Sequence, residues 1–168
     1  MASPGKVIPL SNNVFVTPHG YNNCCYGHIT RKLCPYIVDT FSIISEILDF
    51  KSQHLIIKPL RGKYMGMVLP QIGSPILINP KRTTISGTLL TVCHESIHAD
   101  QLHKGNLKLS SVGMMEWKGQ LIKYDYNLLS SNKVLYDQLP WENDANERQQ
   151  DLYNTILKKV KIKEDVLI

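Results

Sequence analysis

The feature that most constrains this chain is a pair of histidines four residues apart, His94 and His98, with Glu95 directly after the first. They lie in a run, residues 85–104, that contains no proline and has its one glycine near the start, so the run predicts an α-helix. Residues four apart lie about 40° apart around a helix, so the two imidazoles converge on one point. This HExxH spacing is typical of helices that bind zinc for hydrolysis, with the glutamate as base.

The predicted helix has recognisable ends and one apolar side. Thr83 or Thr84 is a candidate N-cap, and Gly105 stands where a helix commonly stops. On a helical wheel both histidines border an apolar stripe, and a packed helix holds its side chains in the fixed rotamers that a metal ligand needs. The alternative is a helix at the border of the core whose histidines make ordinary hydrogen bonds. The stripe comprises Leu89, Leu90, Cys93 and Ile97.

A catalytic zinc site needs a third protein ligand, because zinc in such sites binds three side chains and leaves one position for water. A histidine six residues after His98 would serve, but that position holds Lys104. His103 lies about 180° from His94 on the wheel and points away from the ion, so we expect it on the surface. The third ligand is therefore expected on another segment.

The acidic segment near the end of the chain supplies a candidate. Residues 140–159 predict a helix, and Glu142 lies on its apolar face, where an unpaired acid would be costly. Asp144 and Glu147 are predicted to face water, whereas Asn146, one turn after Glu142, is predicted to accept a hydrogen bond from a ligand histidine. The alternative is that Glu142 only complements the helix dipole in the first turn.

The HExxH motif followed by Glu142-Asn143-Asp144-Ala145-Asn146 resembles the gluzincin arrangement, in which HExxH precedes a downstream ExxxD or ExxxN. The chain's small size is similar to that of the minigluzincins and other compact zincin-like domains of bacteria and phages. The resemblance covers roughly residues 55–155. It departs from the commoner pattern at Asn146, where an aspartate is usual. The resemblance implies one zinc ion held by His94, His98 and Glu142, with Glu95 as base and Asn146 as a hydrogen-bond partner of a ligand.

The expected activity is that of a zinc-dependent endopeptidase, in which Glu95 deprotonates a zinc-activated water that attacks a peptide carbonyl. The negative charge that develops on the carbonyl oxygen needs one more donor. Gln101 shares the face of His94 and is expected to line the cleft or its rim. Three tyrosines between the ligand segments are candidate donors, and each can equally be a packing residue: Tyr124, Tyr126 and Tyr136.

The order of predicted elements indicates an α+β fold, a small mixed sheet with an HExxH helix and a C-terminal glutamate-bearing helix. Residues 1–30 read as a loop-rich segment with one short strand at 14–16, and residues 31–168 as a single zincin-like metallopeptidase domain. Ile76–Ile78 is either an exposed edge for an extended substrate or a core strand. The other predicted elements are a helix over 36–50, strands over 54–58, 64–69 and 75–78, and a hairpin or extended wall over 113–126.

Composition narrows the setting in which the chain works. Its formal net charge is +5, in part from the lysines of residues 158–163. A basic tail can contact nucleic acid, but a solvated helix end is the favoured interpretation. The sequence has neither an apolar run of transmembrane length nor a signal-peptide pattern, and free thiols best explain its cysteines. We expect a cytoplasmic protein without a membrane partner, located in the host cytoplasm or the virion if the chain is viral.

Two other functions fit the same motifs. The first is a zinc-bound module without catalysis, such as a viral structural or assembly factor. The second is a DNA-associated protease, which the basic charge alone suggests. For the favoured function the partner is a peptide or protein substrate, and the sequence does not indicate an oligomeric state.

Overall fold

The fold is built on a five-stranded mixed sheet, in a computed structural model that describes residues 7–10, 14–18, 27–61, 64–80 and 84–160. The strand order across the sheet is β1-β2-β3-β5-β4. The three inner strands are parallel, whereas each edge strand pairs antiparallel with its neighbour. The strands are β1 (Ile8–Pro9), β2 (Val14–Pro18), β3 (Gln53–Ile57), β4 (Gly66–Val68) and β5 (Ile76–Ile78).

The inner strands alternate between buried and half-buried residues, as a sheet covered on one face requires. Leu55 and Ile57 of β3 are fully buried, and so are Ile76 and Ile78 of β5. The register pairs Leu55 with Ile76 and Ile57 with Ile78. The buried side chains of both strands therefore point to the same face, against which the long helices pack.

Two long helices join these strands in one core. Helix α1 spans Gly27–Ile47 and contains Pro35, and helix α2 spans Ile85–His103 and carries the HExxH motif. Contacts to the sheet come from both helices. The shared core includes Ile37, Phe41 and Ile44 of α1 and Leu89, Val92 and Ile97 of α2.

A smaller antiparallel sheet follows α2. It comprises β6 (Leu107–Ser111), β7 (Met114–Trp117) and β8 (Gln120–Lys123), paired in that order. Its two hairpin turns contain Gly113 and Gly119, whose φ angles of 74° and 86° favour glycine. Two short helices come next along the chain, α3 (Tyr126–Ser131) and α4 (Lys133–Asp137).

The last helix, α5 (Pro140–Leu157), packs along α2. Pro140 suits the first turn, where its missing amide hydrogen leaves no bond unmade. Ala145, Leu152 and Ile156 enter the main core. The first turn of α5 also contributes to a second core beneath the smaller sheet, which comprises Leu102, Leu107, Met115, Trp117 and Trp141. The start of α5 is thus held between the end of α2 and that sheet.

The structure confirms the α+β class and most of the predicted elements. The three strands predicted over 54–58, 64–69 and 75–78 correspond to β3, β4 and β5, and the hairpin within 113–126 is β7–β8. Strand β6 and helices α3 and α4 were not predicted.

Three expectations can be compared with the main sheet and its first helix. In the described part of residues 1–30, β1 and β2 belong to the main sheet, β2 includes the strand predicted at 14–16, and residue 30 falls inside α1. The helix predicted from residue 36 begins at Gly27, because Pro35 is accommodated within it. Strand Ile76–Ile78 lies between β3 and β4, so it is the core strand of the two alternatives, and β4 is the edge.

Two observations bear on the expectations about membrane segments and free thiols. Among the helices that the structure describes, none is both long and apolar enough to cross a bilayer. Cys34 and Cys93 are buried free thiols, and burial raises the pKa of Cys93 to about 12, so this thiol stays protonated. Cys24 and Cys25 lie outside the described residues.

The N-cap of α2 is Thr84, whose hydroxyl accepts a hydrogen bond from the amide of Gly87 at 2.9 Å. Replacing Thr84 with alanine removes this acceptor, so the free energy of unfolding should fall by about 1 kcal/mol in urea titrations. The matched Thr84→Ser variant keeps the hydroxyl and should lose much less. An equal loss in both variants would show that the cap does not stabilise the helix.

Candidate metal centre

Three side chains that can bind a metal meet where α5 begins against the middle of α2. The Nε2 atom of His94 lies 3.3 Å from Oε2 of Glu142, and Nε2 of His98 lies 3.3 Å from Oε1. The two Nε2 atoms are 3.1 Å apart. The structure therefore brings together the three residues predicted as ligands, with all donor atoms within 4.8 Å of one another.

The spacing of these donors fits one small divalent cation. Zinc binds imidazole nitrogen and carboxylate oxygen at about 2.0–2.2 Å in tetrahedral geometry, so its donors stand roughly 3.3–3.5 Å apart. The observed separations of 3.1 and 3.3 Å come close to that value. Two imidazoles and one carboxylate leave a fourth position for water, as in catalytic zinc sites.

Helix geometry and burial aim the two imidazoles at this point. The rings of His94 and His98 are nearly perpendicular, at 85°, with centroids 4.7 Å apart. Glu142 is 3% exposed and His98 is 8% exposed, whereas 20% of the His94 side chain is exposed. The site is therefore closed on the side of α5 and opens to solvent beside His94.

Opposite charges replace solvation for the buried Glu142. Burial raises the pKa of Glu142, but hydrogen bonds with His94 and His98 outweigh burial and lower this pKa to about 2. Burial lowers the pKa of His98, while the hydrogen bond with Glu142 and its charge raise that pKa to about 9. In the metal-free protein the site thus holds a carboxylate beside a protonated imidazole. A cation that binds must displace that proton.

Glu95 lies against Gly66 of β4. It is 8% exposed, and burial raises its pKa, although the charges of His98 and His94 oppose that shift. A Cβ atom on Gly66 would stand 2.5 Å from Cγ and 2.7 Å from Oε1 of Glu95. The same Cβ would stand 2.8 Å from Cγ2 of Thr91, so a side chain at this position would require Glu95, Thr91 or β4 to shift. The sequence could have indicated this contact, because a glycine within a predicted strand often marks a close approach of the backbone to another group.

The α5 residue that contacts His94 is Gln149 and not Asn146. The Oε1 atom of Gln149 lies 3.0 Å from Nδ1 of His94, whereas Asn146 is exposed and lies 3.4 Å from Gln149. Gln149 is two turns from Glu142, only about 20° away on the wheel, and its side chain is one methylene longer. The sequence expectation for Asn146 is therefore replaced by an indirect role, in which it contacts Gln149.

Gln101 and Asp144 also differ from their predicted places. Gln101 does not line a cleft: it is fully buried, and its Oε1 lies 2.9 Å from Nδ1 of His98. Asp144 does not simply face water, because it accepts hydrogen bonds from Gln101 and Arg148. The wheel places it correctly away from the core, but the neighbouring helix covers part of that side. Glu147 is exposed, as predicted.

Of the three candidate tyrosines, Tyr136 of α4 is the one whose described contacts reach the site. Its hydroxyl interacts with Glu142, and local burial of the hydroxyl together with the charge of Glu142 raises the pKa of Tyr136, although 42% of the residue is exposed. Tyr124 packs edge-on against Trp141, with ring centroids 6.3 Å apart, so it is a packing residue. Tyr126 begins α3, and its side chain lies outside the described part of the structure.

His103 takes no part in the site. It is exposed, packs against Phe50 and hydrogen-bonds Gln53, in agreement with its predicted surface position.

No protein-family model matches the chain, and no curated protein or solved structure is significantly similar to it. The case for the site therefore rests on its own geometry.

Replacing Glu142 with glutamine should abolish tight zinc binding. Zinc in small protein sites contributes about 10–16 kcal/mol in total, so the loss of one ligand should weaken affinity by at least about 100-fold. Glu147→Gln is the matched control, since it removes an exposed acid from the same helix. Zinc content after dialysis, measured by atomic emission, should be near one per chain in the control and near zero in Glu142→Gln. Equal zinc in both would exclude Glu142 as a ligand.

Proposed function

We propose that the protein is a zinc-dependent endopeptidase with a gluzincin-like, zincin-like active site. The observation that carries this proposal is the convergence of His94, His98 and Glu142 on one point beside a buried carboxylate, that of Glu95. A structural zinc site would be closed by a fourth protein ligand and would need no such carboxylate. Three ligands with an adjacent base suit metal-assisted hydrolysis.

The residues have distinct roles in this reaction. A zinc ion held by the three ligands supplies Lewis acidity toward a water molecule and toward the substrate carbonyl. Glu95 takes a proton from the water that adds to the carbonyl carbon, and it passes that proton to the amine nitrogen as the C–N bond breaks. Its buried surroundings suit this exchange, because burial brings the pKa of the carboxyl closer to neutrality.

Tyr136 is the best-placed candidate donor to the oxygen that becomes negative in the transition state. Its hydroxyl interacts with the carboxylate of Glu142, so it lies beside one of the three proposed ligands. Short helix α4 carries it and ends just before α5. A preorganised donor of this kind contributes about 2.7–4 kcal/mol to acyl-transfer reactions.

The edge strand β4 offers a place for an extended peptide. It pairs on one side with β5, and its Gly66 contacts Glu95. A peptide added as a further strand would have its carbonyl groups close to the base. Beyond the end of β4 lies an apolar concave surface that can accommodate a side chain of the bound peptide. The residues that line this surface include Pro70, Leu109, Val112, Lys123 and Tyr124.

The two other functions have less support. A zinc-bound module without catalysis would need the same ligands but leaves Glu95 without a role. A DNA-associated protease is suggested by the net charge alone. Among the described residues, six basic side chains are paired with acids, including Lys104 with Asp100, Lys118 with Asp144, and Arg148 with both. Steeply salt-dependent binding to DNA would favour that function.

The Glu95→Gln variant separates an enzyme from a binding module. Zinc-loaded wild-type protein should cleave members of a mixed fluorogenic peptide library, and the variant should cleave them at least about 100-fold more slowly because the base is lost. Both proteins should hold one zinc per chain. A wild type that binds zinc but cleaves no peptide, or a variant as active as the wild type, would overturn the proposed activity.

Replacing Gly66 with alanine should impair catalysis without removing zinc. The added methyl group would displace Glu95 or push β4 outward, and a shift of about 1 Å can cost roughly 100-fold in rate. We expect zinc affinity within threefold of wild type and peptide cleavage reduced at least about tenfold. Unchanged cleavage would show that the contact between Gly66 and Glu95 does not set the position of the base.

A further inference from the structure

The buried amide of Gln101 bridges α2 and α5 beside the candidate metal centre. Its Nε2 atom donates hydrogen bonds to the backbone oxygen of Trp141 at 2.9 Å and to Oδ2 of Asp144 at 2.8 Å. Its Oε1 atom lies 2.9 Å from Nδ1 of His98. Gln101 is fully buried, so these three partners, and not water, decide how its amide is turned.

The hydrogen-bond partners along this bridge require a proton on Nδ1 of His98. A backbone carbonyl can only accept a hydrogen bond, and so can an ionised carboxylate, so the NH₂ group of Gln101 must face Trp141 and Asp144. Its carbonyl oxygen then faces His98 and requires a proton on Nδ1. When a cation displaces the other ring proton, the neutral imidazole keeps its proton on Nδ1 and carries its lone pair on Nε2. That atom is the one turned toward Glu142 and His94.

Cationic side chains hold the carboxylate of Asp144, the acceptor of this bridge on α5. Arg148 donates a hydrogen bond to its Oδ2 at 3.1 Å, and Nζ of Lys118 lies 3.8 Å from its Oδ1. Arg148 also pairs with Asp100, which is 1% exposed and belongs to α2. The orientation of Gln101 is therefore set by the same contacts that dock α5 on α2.

Gln149 makes a similar but looser contact with His94. Its Oε1 lies 3.0 Å from Nδ1 of His94, and its Nε2 lies 3.4 Å from Oδ1 of Asn146 on the exposed side of α5. Asn146 can turn its own amide and offer either a donor or an acceptor, so it does not fix Gln149 as Asp144 fixes Gln101.

We propose, on the basis of the metal site proposed above, that Gln101 and Gln149 are positioning residues that hold His98 and His94 with Nε2 free to bind the ion. Each acts across the interface between the two helices: Gln101 of α2 is turned by acceptors on α5, and Gln149 of α5 receives the proton of a histidine on α2. Gln101 is the more firmly held of the two, because it is fully buried and two acceptors on α5 fix its amide. The contacts that dock α5 on α2 therefore also orient the two histidines.

Metal affinity of three methionine variants tests this assignment. Methionine keeps the length of glutamine but neither donates nor accepts through an amide. In competition with a chromophoric chelator, Gln101→Met should bind zinc about 10–100-fold more weakly than wild type, and Gln149→Met should be weakened less. Gln150→Met is the matched control, since Gln150 is an exposed neighbour on α5 that contacts Asn154, and its affinity should stay within twofold of wild type.

A measurement on the wild type keeps the test decisive if Gln101→Met fails to fold. In the ¹⁵N NMR spectrum of zinc-loaded protein labelled at histidine, the Nδ1 proton of His98 should be visible and slow to exchange, because a buried acceptor holds it. That of His94 should exchange faster. A His98 ring proton that exchanges as rapidly as that of His94 would overturn the proposed rank of the two glutamines.

The outcomes separate this inference from the function on which it rests. If the wild type binds no zinc in the competition assay, the metal site itself is wrong. If the wild type binds zinc and the Gln101, Gln149 and Gln150 variants all bind it equally well, the site stands and the positioning role is wrong.

Discussion

The docking of α5 on α2 is the interaction on which the rest of this structure depends. It buries Glu142 to 3% exposure, and an unpaired carboxylate there would cost several kcal/mol. Two imidazoles 3.3 Å away compensate for the lost solvation. Neither helix forms the centre alone, since one supplies both nitrogen donors and the other the oxygen donor. The same interface contains the ion pair of Arg148 with Asp100 and the amide bridge of Gln101.

The surrounding elements hold this interface from two sides. The main sheet supports α2, and its strand β4 comes close enough for Gly66 to contact Glu95. The smaller sheet packs with Trp141 in a second core, next to Glu142 in the first turn of α5. Two small cores therefore hold the three side chains of the candidate site in place.

The sequence predicted the parts of the site that depend on helical periodicity. The HExxH spacing placed His94, Glu95 and His98 on one helix, and the apolar face of the last helix singled out Glu142 among three nearby acids. Periodicity does not give the rotation of one helix against another, so the partner of His94 was misplaced by one turn, at Asn146 instead of Gln149. It also ignores contacts between elements distant in sequence. The pairing of strand β2 with β3 and the burial of Gln101 between α2 and α5 depend on such distant contacts.

The coordination of zinc in the loaded protein tests the central claim most directly, and X-ray absorption at the zinc edge measures it. The account predicts one zinc per chain, with a first shell of nitrogen and oxygen at about 2.0–2.1 Å and outer scattering from two imidazoles. A spectrum with sulfur at about 2.3 Å, with a single imidazole, or with only water-like oxygen ligands would contradict it.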